Sequence, residues 1–79
     1  MRILFFAQTK DAAETSELEM KISGAIGVEE VWDKLIVQKP RLVAFRKTTR
    51  LARNGEYADA KTKFADTDEV ALIPPVSGG

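Results

Sequence analysis

The chain has 79 residues, 12 basic side chains against 12 acidic ones, and neither cysteine nor histidine. That is one domain's worth of sequence, with no disulfide or zinc site to staple it and no thiol or imidazole for nucleophilic or acid–base work. A self-sufficient enzyme is therefore not expected, and the balanced charge gives no global reason to bind nucleic acid.

The first element is "RILFFA", Arg2 to Ala7, rich in strand formers and apolar at both parities. Ile3 and Phe5 lie on one side and Leu4 and Phe6 on the other, as expected of a central strand or of one whose second face meets a partner. The polar "QTKDAAETS", Gln8 to Ser16, reads as a turn. "ELEMKI", Glu17 to Ile22, then alternates with Leu18, Met20 and Ile22 inward, so an antiparallel hairpin with the first strand is the default.

From Val28 the period becomes helical, with Val28, Val31, Trp32 and Leu35 on one face, Glu29 and Glu30 in the first turn and Pro40 as the stop. Leu42, Val43 and Phe45 suggest a second short helical piece opened by that proline. "RLARNGEYA", Arg50 to Ala58, reads as a short strand, an Asn54-Gly55 turn and a short extended piece carrying Tyr57. After the apolar anchor Phe64, "DTDEVALIPP" supplies a last strand, apolar on both faces and ended by Pro74. This order predicts one α+β domain over residues 1–79: a roll with a mixed sheet of about five strands, one main helix on one face, and residues 74–79 as a flexible extended tail. The first and last strands are the candidates for its centre, running parallel.

One helix covers one side of a sheet, so Leu4, Phe6, Ala71 and Ile73 are left on the other, on two neighbouring strands. A contiguous exposed apolar patch of that kind is a partner surface, with Tyr57 at its border. Basic residues run from Lys34 to Arg53 without an intervening acid, which reads as a solvated face or as steering toward an acidic partner. No apolar run approaches the ~20 residues of a membrane helix, and "ILFFA" is too short for a secretory signal. A soluble cytoplasmic protein is the expectation, with no membrane and no nucleic acid among its partners.

The chain closes on "IPPVSGG". Pro74 and Pro75 favour a stiff extended launch, Val76 and Ser77 follow, and Gly78 and Gly79 have no side chains to obstruct access to a terminal carboxylate. Six residues beyond Ile73 reach ~20 Å from the domain when extended. A stiff base and thin tip suit insertion into a narrow channel of another protein.

With "ILFFAQ" at the start, "ADTDEVALIPPVSGG" at the end and this α+β order between, the chain resembles the small, sulfur-carrier subunits of molybdopterin synthase. That family has a ubiquitin-like β-grasp fold and is related to the sulfur carrier of thiamine synthesis. Asp66-Thr67-Asp68-Glu69 stands where family members often have Asp-Gly-Asp-Glu. The resemblance implies that the Gly79 carboxylate is adenylated by a ubiquitin-activating-type adenylyltransferase using ATP and then converted to a thiocarboxylate. A cysteine desulfurase or rhodanese-type protein would supply that sulfur. The tail then enters the large catalytic subunit, in an assembly of two small and two large subunits, and sulfur passes to a cyclic pterin precursor of the molybdenum cofactor. On this reading Gly79 reacts and Gly78 gives access. Phe6, Tyr57, Ile73, Pro74, Pro75, Val76 and Ser77 contact partners, and the chain itself holds no metal or cofactor. Other readings stay open: a carrier for thiamine or tRNA thiolation, a ubiquitin-like modifier joined to proteins through Gly79, or an interaction module with an inert tail.

Overall fold

A computed structural model describes residues 1–75 of the chain. In chain order the elements are β1 (Arg2–Phe5), α1 (Ala7–Ala13), β2 (Glu17–Glu19), α2 (Val28–Gln38), a 3-10 helix (Pro40–Phe45), β3 (Arg50–Arg53), β4 (Glu56–Tyr57) and β5 (Glu69–Ile73). The five strands form one sheet in the order β2-β1-β5-β3-β4. β1 and β5 run parallel at its centre, with Ile3 opposite Val70 and Phe5 opposite Leu72. The other pairings are antiparallel, β1 with β2, β3 with β5 and β3 with β4. This is the β-grasp roll expected from the sequence.

The helical face of the sheet carries the core. Ile3, Phe5, Leu51, Val70 and Leu72 are buried there with Val31, Trp32 and Leu35 of α2, and Leu42 of the 3-10 helix. Period two in the strands and period 3.6 in α2 bring these residues to one layer. Burying a large aliphatic or aromatic side chain contributes about 1.5–3 kcal/mol, so this shared layer is what holds the helix on the sheet. Phe64 is fully buried and its backbone exchanges hydrogen bonds with Ile26 (3.0 and 2.7 Å), fastening the long loop before β5 to the segment that opens α2. α2 ends where Pro40 forbids continuation; the Lys39 N–H still reaches the Leu35 carbonyl at 2.8 Å.

Three expectations change. Residues 8–16 are not simply a turn: α1 occupies Ala7–Ala13 and buries Thr9, Ala12 and Ala13. Small side chains let that helix sit close to its neighbours without an apolar stripe, so the period signal was absent. The sheet is therefore covered by two α-helices and a 3-10 turn. The first strand stops at Phe5, because Ala7 takes φ +50° and turns the chain into α1; Phe6 is extended (φ −132°, ψ 152°) but lies outside the ladder. β2 is shorter than "ELEMKI", ending at Glu19, and Leu18 and Ile22 are only half-buried at the sheet edge.

Asn54 and Gly55 form the expected β3–β4 turn, with φ +49° and +88°. The adjoining loop is held by aspartates. Asp68 accepts hydrogen bonds from the Ala65 N–H (2.8 Å) and Asn54 Nδ2 (2.9 Å), and the Asn54 carbonyl oxygen Oδ1 accepts the Glu69 N–H. Asp66 accepts the Ile22 N–H at 2.9 Å and the Met1 ammonium at 3.3 Å.

Candidate partner-docking face and tail

The face of the sheet turned away from the helices divides along its length. At the beginning of β1 and β5 it is ionic: Arg2 pairs with Glu17 at 2.9 Å and with Glu69 at 3.4 Å. Toward the ends of the same two strands it becomes apolar. Leu4 lies opposite Ala71, and Ala52 of β3 lies between Ala71 and Tyr57. Ile73 is the last residue of β5 and faces Arg50 of β3. Ala52, Gly55, Tyr57, Ala71 and Ile73 together line a shallow depression.

Of the residues that sequence reasoning assigned to partners, Phe6 and Tyr57 are exposed large hydrophobics, at 46% and 60% of their surface. Ile73 and Pro74 are half-buried and Pro75 is exposed. Ile73 and Tyr57 share the depression. Phe6 lies at the end of neighbouring β1, where it lines a second hollow with Leu4 and Lys10. Val76, Ser77, Gly78 and Gly79 lie outside the described residues, so the proposed reactive end is known here only by its origin: β5 delivers the chain to it directly from the apolar end of the face.

Two features were not singled out from sequence. Thr9, fully buried, accepts the Phe6 N–H on its hydroxyl at 3.1 Å and donates to the Phe6 carbonyl at 2.6 Å. That exchange fixes the bend that leaves the Phe6 ring in the open. A hydroxyl residue three positions after the N-cap Phe6 was the available signal, since an N3 side chain can reach back to the N-cap N–H. The second is Arg50, whose guanidinium lies 4.1 Å from the centre of the Tyr57 ring. Cross-strand neighbours two residues out of register can meet in this way, but β4 was too short to place.

The basic run is partly consumed within the fold. Arg46 pairs with Glu29 at 2.7 Å and Asp33 at 2.9 Å, and hydrogen bonds to both hold its guanidinium above its ordinary pKa. Arg53 donates to the Lys63 carbonyl at 2.6 Å. Among the described residues there is no cluster of acidic side chains able to hold a metal ion, and no helix is long and apolar enough to cross a membrane.

A five-stranded mixed sheet with parallel β1 and β5 at its centre and helices on one face defines a class, the ubiquitin-like β-grasp domains. Comparison with known proteins narrows it: residues 3–79 match the ThiS family, and the chain belongs to that family. It is 35% identical to the molybdopterin synthase sulfur carrier subunit of Chlamydomonas reinhardtii, covering all of this chain and 98% of that protein. Its structure is similar to that of SAMP1 from Haloferax volcanii, with a TM-score of 0.85 and 31% identity over all of this chain and 98% of that one. It also shares its fold with a chain of the complex of subunits 1 and 2 of molybdopterin-converting factor from Helicobacter pylori. There the TM-score is 0.68 at 23% identity, over 99% of this chain and 96% of the other.

Proposed function

We propose that this protein is the sulfur-carrier subunit of a molybdopterin synthase. The observation that carries the reading is full-length similarity to curated sulfur carrier subunits, supported by a sheet whose apolar end lies where β5 leads to the Gly-Gly sequence. The chain has no side chain suited to carrying sulfur, since it lacks cysteine. A C-terminal thiocarboxylate supplies what is missing. An ionised carboxylate is a poor electrophile, so Gly79 is first converted to an acyl-adenylate by a ubiquitin-activating-type enzyme that consumes ATP and releases pyrophosphate. The persulfide of a cysteine desulfurase or rhodanese-type donor then displaces AMP to form an acyl disulfide, and a thiol attacks the donor's sulfur, releasing the thiocarboxylate and leaving the donor as a disulfide with that thiol.

The partner is the large catalytic subunit, which receives the tail and brings its sulfur to the pterin precursor. Phe6, Tyr57 and Ile73 dock the domain, Pro74 to Ser77 span the channel, and Gly78 admits the reactive carbonyl. Two small and two large subunits make the assembly, and it works in the cytoplasm. The chain holds no cofactor of its own. Reconstitution tests this: thiocarboxylated full chain, cognate large subunit and pterin precursor are expected to yield molybdopterin. A chain lacking Gly79 is expected to bind the large subunit and yield none. Product from the shortened chain would contradict the reading.

A second reading is favoured by the likeness to SAMP1, small archaeal modifier protein 1. Activation of Gly79 would be the same, but an amine of a target protein would take the acyl group. Isopeptide-linked Gly79 on lysines after expression in the native host would support it.

A further inference from the structure

We infer that Arg50, held on the ring of Tyr57, is a specificity residue of the docking face, and that it engages a carboxylate on the large subunit beside an apolar contact. This rests on the carrier reading above and deepens it by naming the chemistry the partner must present.

The argument begins with charge compensation. At the ionic end of the open sheet face, Arg2 is matched by Glu17 and Glu69. At the apolar end, Arg50 is exposed and stands opposite Ile73, yet it has no carboxylate within ion-pair distance among the described residues. Acids do lie nearby, lining a cleft with Arg50 beside the start of α2, but each is engaged elsewhere. Glu29 takes Arg46 at 2.7 Å, Glu30 accepts the Gly27 N–H, and Asp59 accepts the Lys61 N–H and the Thr62 hydroxyl. Strand alternation sends Glu56, the neighbour of Tyr57, to the other side of the sheet.

The guanidinium carbon lies instead over the Tyr57 ring, 4.1 Å from its centre. That contact restrains the side chain and leaves its N–H fork without an acidic partner among the described residues. Such a fork matches a carboxylate bidentately, and a stacked arginine loses less freedom on forming that pair than a free one. An unmatched arginine beside Ile73 and Ala71 would lose hydration when a partner covered the patch. A partner surface complementary to this face must therefore place an acid there. A homologous large subunit without that acid would be rejected, which is how a buried charge gives specificity.

The test is titration calorimetry of the full chain with its cognate large subunit, at low and at physiological salt. Wild type, Arg50→Gln, Arg50→Lys and Arg50→Glu are compared, with thermal melts to confirm that each is folded. Arg50→Gln is expected to weaken binding by about tenfold or more, as when one member of a desolvated charge pair is truncated, and to remove most of the salt dependence. Arg50→Lys should fall between, and Arg50→Glu should bind worst. Reversing one acidic residue of the large subunit to arginine should restore binding to Arg50→Glu. A loss of less than about tenfold for Arg50→Gln is what a solvated rim charge gives, and overturns the inference while leaving the carrier reading intact. Failure of the wild type to bind the large subunit overturns both.

Discussion

Several single residues hold backbone that most side chains resist, and they make opposite predictions. Glu14 ends α1 at φ +59°, a left-handed position that glycine occupies without strain. Glu14→Gly is expected to raise stability by about 0.5–1 kcal/mol, read as a higher urea midpoint at unchanged slope. Gly55 sits at φ +88° with open space where a Cβ would be. Gly55→Ala therefore has no clash to relieve and is expected to cost about 1 kcal/mol through backbone strain alone. The aspartates give a pH dependence. Asp59, Asp66 and Asp68 are each held below the ordinary value of 3.8, chiefly by the backbone N–H groups of Lys61, Ile22 and Ala65 respectively. A carboxylate with a depressed folded pKa contributes stability above its unfolded pKa and loses it as pH falls through the folded one. The urea midpoint should thus be flat from about pH 5 to neutrality and decline below 3.8. In Asp66→Asn and Asp68→Asn that decline should be smaller, because the titrating group is gone.

At the scale of elements, what could be read from sequence followed the size of the apolar side chains. β1, α2 and β5 carry Ile, Leu, Val, Phe and Trp at clear periods, and each lies within the stretch the pattern gave it, β1 ending two residues early. α1 was missed because its buried positions are Thr9, Ala12 and Ala13, too small and too mixed to produce a stripe. The β3–β4 turn was legible from Asn54-Gly55, since few dipeptides tolerate two positive φ values. Phe64 was read only as an apolar anchor, and its pairing with Ile26 depends on residues far apart in sequence. That anchor is expected to matter: Phe64→Ala should cost about 3–5 kcal/mol, by deleting a fully buried ring and freeing the loop before β5. A denaturant titration showing less than about 1 kcal/mol would mean the loop collapses onto the vacated space.

At the scale of the whole molecule, the candidate site joins two parts that differ in kind. The apolar end of the open sheet face was legible in outline because β1 and β5 are apolar at both parities, and two neighbouring two-faced strands leave one apolar face turned away from the helices. Its charge pattern was not legible. Whether Arg2 and Arg50 are compensated depends on cross-strand register, which periodicity does not give. The proposed reactive end, in contrast, is a feature of sequence alone, in the spacing of Pro74, Pro75, Gly78 and Gly79. The central claim is that Gly79 carries sulfur, and intact mass after activation tests it most directly. The full chain is incubated with ATP, its activating enzyme and a sulfide source, then treated with a thiol-alkylating reagent. Because the sequence has no cysteine, the side chains offer that reagent no thiol. One ATP-dependent alkylation, mapped to the fragment ending in Gly79, is the expected result. An unalkylated chain, with the same enzyme competent on another carrier, would contradict it.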